Sequence, residues 1–167
     1  MGLLRGLFRR SEVIGIAREA LEFALEASED AHPNEYMGFL RGTPTERLDG
    51  DFVRSGYVVT DVLVIPGTSS SPTSATVRSN AVPNDMRTLG SVHSHPNGVL
   101  RPSDEDLATF GKGTVHVIVG APYRASNWRA FGSQGEPRAL EVLDVPLPDP
   151  EEFFDFTQED IDEELQR

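Results

Sequence analysis

The sequence predicts an α/β fold, a single-domain sandwich whose mixed β-sheet is flanked by helices. Three observations predict it. A stretch with helical apolar spacing stands near the amino terminus, a series of β-branched runs follows, and a second short helix pattern interrupts that series near residue 104. The β-branched runs lack clean alternation of apolar and polar residues, as expected where a sheet is covered on both faces. At 167 residues and 38% hydrophobic content, the chain can bury one sizeable core and is too short for two. The expected organisation is a stub over 1–10, a domain over 11–147 and an acidic segment over 148–167 that docks as a helix.

In chain order, the first helix is expected to begin at Ser11-Glu12, with Val13, Ile14, Ala17, Ala20, Leu21, Ala24 and Leu25 on one apolar face. It should end by His32-Pro33, because proline disfavours helical geometry in the residue before it. His32 then falls in a helix-to-strand connection and reads as an exposed loop residue. Glu35 heads an apolar strand within Asn34–Gly42. Further strands are expected over Tyr57–Ile65, Ala75–Arg78, Thr88–His95, Thr114–Val119, Trp128–Phe131 and Ala139–Leu143. Pro66–Pro72 and Val82–Asp85 have loop composition. His116 lies inside an apolar run and reads as a satisfied core or rim histidine, with contact to the site below as the lesser alternative.

The chemistry concentrates in His93-Ser94-His95-Pro96, with Ser103 and Asp106 downstream. On a strand, side chains two apart share a face, so His93 and His95 project together with Cα atoms roughly 7 Å apart. Pro96 and Asn97-Gly98 then turn the chain out of the sheet. Pro102-Ser103-Asp104-Glu105-Asp106 reads as a helix start, with Ser103 as N-cap, acids in the first turn and Gly111 near the end. Asp106 thus stands one turn in. Two imidazoles and one carboxylate make the three-ligand set of a catalytic zinc site, whose fourth position takes a water of pKa near ~7. A structural zinc site normally needs four ligands, usually with cysteine, and the chain has none. Each residue has a plainer reading as well. Alternating histidines can be ordinary strand residues, and Ser-x-x-Asp is how a capping box begins. Four residue types at fixed offsets would coincide by chance about once in a thousand such chains, which favours the site.

This pattern, His-x-His, seven residues, Ser, two residues, Asp, resembles the signature of the JAMM (MPN+/Mov34) zinc metalloprotease family. Glu35, at the head of a strand that follows a long helix, matches the family's upstream glutamate. The resemblance implies a cytidine-deaminase-like JAMM/MPN core and one Zn2+ per chain held by His93, His95 and Asp106. It implies Glu35 as general base and Ser103 as a stabiliser of the oxyanion. It further implies a compact archaeal-type isopeptidase that frees ubiquitin-like, sulfur-carrier-type modifiers from target lysines. The modifier tail would be held extended beside a strand, an edge the sequence does not assign. Two alternatives share the fold: a peptidase trimming the C-terminus of a sulfur-carrier protein, and a non-catalytic MPN scaffold module. The complete set of five residues weighs against the scaffold. A zinc nucleobase deaminase would need His-x-Glu and Pro-Cys-x-x-Cys, which the chain lacks.

Net charge is −12, with 27 acids against 14 arginines and the single Lys112. Nucleic acid is therefore excluded as an expected partner, since phosphate contact needs a basic surface. Abundant carboxylate with scarce lysine suits a protein soluble in concentrated salt, so a halophilic archaeal source is expected, with an acidic mesophilic protein from a GC-rich genome as the alternative. Within 151–167, Phe153, Phe154 and Phe156 accompany eight acids and resemble the start of a docked helix, with a disordered tail or a dimerisation element as alternatives. The stub, Met1–Arg10, has an apolar run too short for a signal peptide, and Gly6 fails the myristoylation pattern. No stable membrane insertion and a cytoplasmic location are expected; the oligomeric state is left open. There is no internal repeat, phosphate loop or nucleophile elbow.

Overall fold

A computed structural model describes residues 12–63, 69–70, 75–76, 88–111 and 113–147. The expectations for the stub and for the acidic carboxyl-terminal segment lie outside these residues, as does most of the two loop stretches. The elements run β1 (Val13–Ala17), α1 (Arg18–Ala31), β2 (Met37–Pro44), a 3-10 turn (Thr45–Arg47), β3 (Tyr57–Leu63), β4 (Ser69–Ser70), β5 (Ala75–Thr76) and β6 (Thr88–His95). After these come α2 (Asp104–Phe110), β7 (Val115–Gly120), β8 (Trp128–Phe131), β9 (Pro137–Arg138) and β10 (Glu141–Leu143). Eight strands form one sheet in the order β10-β1-β3-β2-β6-β7-β8-β9, while β4 and β5 pair separately. Strand β1 is parallel to β10 and β3, and β6 is parallel to β7. The remaining pairs of the large sheet are antiparallel. The sheet is mixed and has helices on both faces, as expected.

Residues 13–17 correct the sequence reading. The expected helix start is instead β1, and the helix begins only at Arg18. Val13, Ile14 and Ala17 fit a helical face by spacing, yet Val13, Ile14 and Ile16 are β-branched and surround Gly15, a poor helix interior. Pairing on both sides decides the outcome, since β1 sits between β3 and β10. A Cβ at Gly15 would lie 2.6 Å from Leu143 Cδ1 and 2.8 Å from the Glu141 carbonyl oxygen. From Ala20 onward the expected face holds, and Ala20, Leu21, Ala24 and Leu25 are buried with Ser28. The helix ends at Ala31 before His32-Pro33, where expected. Smaller differences lie at strand ends. Strand β7 begins one residue later than expected, the strand expected over 139–143 begins only at Glu141 as β10, and the short β9 at 137–138 precedes it.

Alternation along β7 separates the two faces. Val115, Val117 and Val119 join the larger core under α1 with Val58, Val92 and Leu40, whereas Ile118 joins Phe110 of α2 and Phe131 in a smaller cluster. Phe110 is the only fully buried residue of α2 and anchors this helix on the second face. Among the described residues no helix is long and apolar enough to cross a membrane.

Candidate metal centre

Strand β6 supplies both imidazoles because His93 and His95 are two apart and point to one face. Their Nε2 atoms are 3.0 Å apart, and both residues are buried. The chain then turns at Asn97-Gly98, where Gly98 adopts φ 80° and its N–H donates to the His95 carbonyl at 2.9 Å. That turn delivers the Val99 carbonyl to His95 Nδ1 at 2.7 Å. A carbonyl only accepts, so Nδ1 carries the proton and Nε2 of the neutral ring is left as a lone-pair donor.

Helix α2 brings the carboxylate. Its N-cap is Ser103, whose Oγ accepts the Asp106 N–H at 3.2 Å while Asp106 Oδ2 accepts the Ser103 N–H at 2.7 Å. This reciprocal capping box fixes the aspartate rotamer at the helix mouth. Asp106 Oδ1 then stands 3.1 Å from His93 Nε2, and Oδ2 stands 3.2 Å from His95 Nε2. Burial opposes the Asp106 charge, but hydrogen bonds from His93, His95 and the Ser103 N–H hold its carboxyl well below the usual range. Burial also opposes a charged His95, yet Asp106 and the Val99 carbonyl outweigh it and raise that imidazole above its ordinary value.

The donor set fits zinc. The two imidazole Nε2 atoms are 3.0 Å apart, and each stands within 3.2 Å of a different oxygen of Asp106, so two nitrogens and a carboxylate converge. A tetrahedral ion with bonds of about 2.0–2.1 Å separates its ligand atoms by about 3.3 Å, a spacing the two imidazole nitrogens approach at 3.0 Å, and one donor atom from each of the three residues lies within 4.8 Å of the others. His93, His95 and Asp106 are the one such group among the described residues, and they are suited to hold a single Zn2+.

Glu35 lies two residues before β2, which begins at Met37 and so leaves the expected strand head outside the ladder. In the antiparallel pair Met37 faces His93, and the Ser94 N–H donates to the Tyr36 carbonyl at 2.9 Å. Glu35, next to Tyr36, is thereby held within electrostatic reach of His93, His95 and Asp106. It is 9% exposed. Burial pushes its carboxyl up, against the pull of His93 and His95. All five expected site residues thus belong to one neighbourhood.

Two contributors were not singled out from sequence. Ser94, between the histidines, turns to the other face and accepts the Tyr36 N–H at 2.8 Å, fastening the residue next to Glu35 onto β6. The Val99 carbonyl orients His95, and a main-chain group carries no residue-type signal. His32 is exposed as expected, with Nδ1 2.8 Å from Tyr123 Oη. His116 is the expected satisfied core histidine, buried and paired at both nitrogens.

Fold and site together define a JAMM/MPN-fold, zinc-metalloprotease-like domain. Residues 17–131 match the family of prokaryotic homologs of the JAB domain, and the chain belongs to that family. A protein of the archaeon Haloferax volcanii described as a probable metalloprotease is 65% identical over 161 residues, which span 96% of this chain and 99% of that protein. A solved structure described as a JAMM metalloprotease-like zinc site in the proteasome and signalosome superposes with TM-score 0.55 at 28% identity, covering 79% of this chain and 99% of its own. A JAB1/MPN domain protein from Archaeoglobus fulgidus gives TM-score 0.57 at 30% identity, covering 78% and 99%.

Proposed function

We propose that this protein is a zinc-dependent isopeptidase that hydrolyses the amide between the C-terminal glycine of a ubiquitin-like, sulfur-carrier-type modifier and a target lysine. The observation that carries the reading is the cluster of His93, His95 and Asp106 donor atoms with a buried carboxylate, Glu35, whose charge interacts with all three. Membership of the JAB family supports it.

Bound zinc would acidify a water and polarise the scissile carbonyl. The chain's own groups do the rest. Glu35 takes a proton from the attacking water as the new C–O bond forms, and passes it to the leaving lysine nitrogen as the C–N bond breaks. Its raised affinity for protons suits both halves of that transfer. The Ser103 Oγ accepts from Asp106 N–H and so keeps its own hydrogen free to donate to the carbonyl oxygen as charge develops there. His93, His95 and Asp106 hold the metal, and the Val99 carbonyl keeps the second imidazole in the metal-binding tautomer.

In this reading residues 11–147 are the catalytic domain, and the protein works in the cytoplasm of a salt-adapted archaeon. Metal analysis and an isopeptide-cleavage assay on wild type and Glu35→Ala test it. The variant should retain zinc and lose turnover by about 100-fold or more. Undiminished cleavage by Glu35→Ala would remove the glutamate from the mechanism. Stoichiometric zinc with trimming of a free sulfur-carrier terminus, but no isopeptide cleavage, would make it a C-terminal peptidase. Zinc without hydrolysis of either substrate would make it a scaffold.

A further inference from the structure

Asp106 is the one metal donor outside the sheet, and α2, which carries it, is a single short helix with one buried side chain. What holds that helix in place therefore decides whether the third donor meets the two imidazoles. Phe110 is four residues after Asp106, on the same side of the helix. Its ring is fully buried and lies parallel to the His116 ring, with centroids 4.2 Å apart and planes 4° from parallel. The same imidazole reaches the Phe110 main chain, with Nε2 2.8 Å from its carbonyl oxygen. One histidine thus grips one residue by face and by hydrogen bond.

The other ring nitrogen points back to the histidine strand. Ser91 Oγ is 2.7 Å from His116 Nδ1, and Ser91 and His116 are register partners between β6 and β7. Because the Phe110 carbonyl only accepts, Nε2 carries the proton and Nδ1 accepts from the Ser91 hydroxyl. Ser91 precedes His93 by two residues, so it shares the face of both metal-binding imidazoles. The connections close a ring: β6 runs from Ser91 to the two imidazoles, α2 runs from Phe110 to Asp106, and His116 ties the far ends together. Gly113 leaves space for this, since a Cβ there would come within 2.9 Å of the His116 ring.

We propose that His116 is a positioning residue for the metal centre, setting α2 against β6 so that Asp106 completes the donor set begun by His93 and His95. The inference rests on the zinc reading above, and its test reads metal affinity rather than turnover. Full-length wild type, His116→Leu, His116→Gln and Leu21→Ala are compared by chelator competition for zinc and by the visible spectrum of the cobalt-loaded protein. Leu21 lies on α1, against the opposite face of the sheet, and its truncation lowers the unfolding temperature without touching α2.

His116→Leu should weaken zinc by about tenfold, the lower end of the loss caused by removing groups that orient ligands, and should dim the tetrahedral cobalt bands. Glutamine can donate to the Phe110 carbonyl and accept from Ser91, so His116→Gln should recover most of the affinity. Leu21→Ala should bind zinc as wild type does. Wild-type affinity and cobalt spectrum in His116→Leu, or an equal loss in Leu21→Ala, would overturn the inference while leaving the zinc site intact. A wild type that takes up no zinc would overturn the proposed function itself. If His116→Leu does not fold, Ser91→Ala decides: weakened zinc affinity supports the positioning role and an unchanged affinity overturns it.

Discussion

Ser103 and Asp106 satisfy each other at the mouth of α2, main chain to side chain in both directions, at 2.7 and 3.2 Å. The cap of the helix and the geometry of a metal ligand are therefore one interaction, and Ser103 is assigned a second task as donor to the reacting carbonyl. The two tasks separate by substitution. Ser103→Ala should lose about 1 kcal/mol of stability with the cap. Ser103→Asp restores a capping acceptor but supplies no hydroxyl hydrogen, so it should regain that stability while turnover stays about 100-fold down. Recovery of turnover in Ser103→Asp would leave the serine with capping alone. Denaturant unfolding beside the cleavage assay reads both.

Zinc retention should depend on pH through His95. In the metal-free protein this imidazole is raised above 6.5 although burial works the other way, because of Asp106 and the Val99 carbonyl. A raised folded value means that the protonated His95 stabilises the metal-free fold fully below about pH 6.5 and that this contribution is lost as pH climbs through the folded value. Asp106 is lowered, so its contribution is present above about pH 3.9 and is lost on further acidification. Zinc needs the His95 proton removed. Affinity measured by chelator competition should therefore weaken steadily from about pH 8 to about pH 6; a flat profile would contradict the tautomer and charge assigned to His95.

Gly15→Ala distinguishes the strand from the helix at residues 13–17 by the sign of its effect. In an exposed helix the change would stabilise by about 1 kcal/mol. In β1 the new Cβ meets Leu143 and the Glu141 carbonyl oxygen at 2.6 and 2.8 Å, so a loss of about 1–3 kcal/mol is expected. Urea unfolding at constant salt gives the answer.

The charge of −12 should make stability salt-dependent. Surface acids such as Glu19, Glu22, Glu26, Glu29 and Asp30 of α1 are all exposed, and their mutual repulsion is screened as the Debye length falls from about 10 Å at 0.1 M salt to about 3 Å at 1 M. The unfolding temperature should rise on transfer from dilute buffer to molar potassium chloride. Full stability in dilute buffer with inhibition by molar salt would count against salt adaptation.

Much of this molecule is local information. The capping box at Ser103, the turn at Asn97-Gly98, the shared face of His93 and His95 and the end of α1 at His32 each depend on neighbours within about one helical turn, where steric rules and residue type act directly. Residues 13–17 were not legible in the same way. Their apolar spacing suits a helix face as well as a doubly covered strand, and the partners that settle it are Tyr57–Val59 and Glu141–Leu143.

The sequence by itself determined the donor types, their spacing and the helix that presents Asp106, because these follow from periodicity and capping along a continuous stretch of chain. Only the tertiary structure decided that Glu35 comes within reach of the His93 and His95 charges, that the Val99 carbonyl sets the tautomer, and that His116 joins Ser91 to Phe110. Those relations depend on strand register and on main-chain atoms brought together across the sheet, and neither is encoded by the type of any single residue.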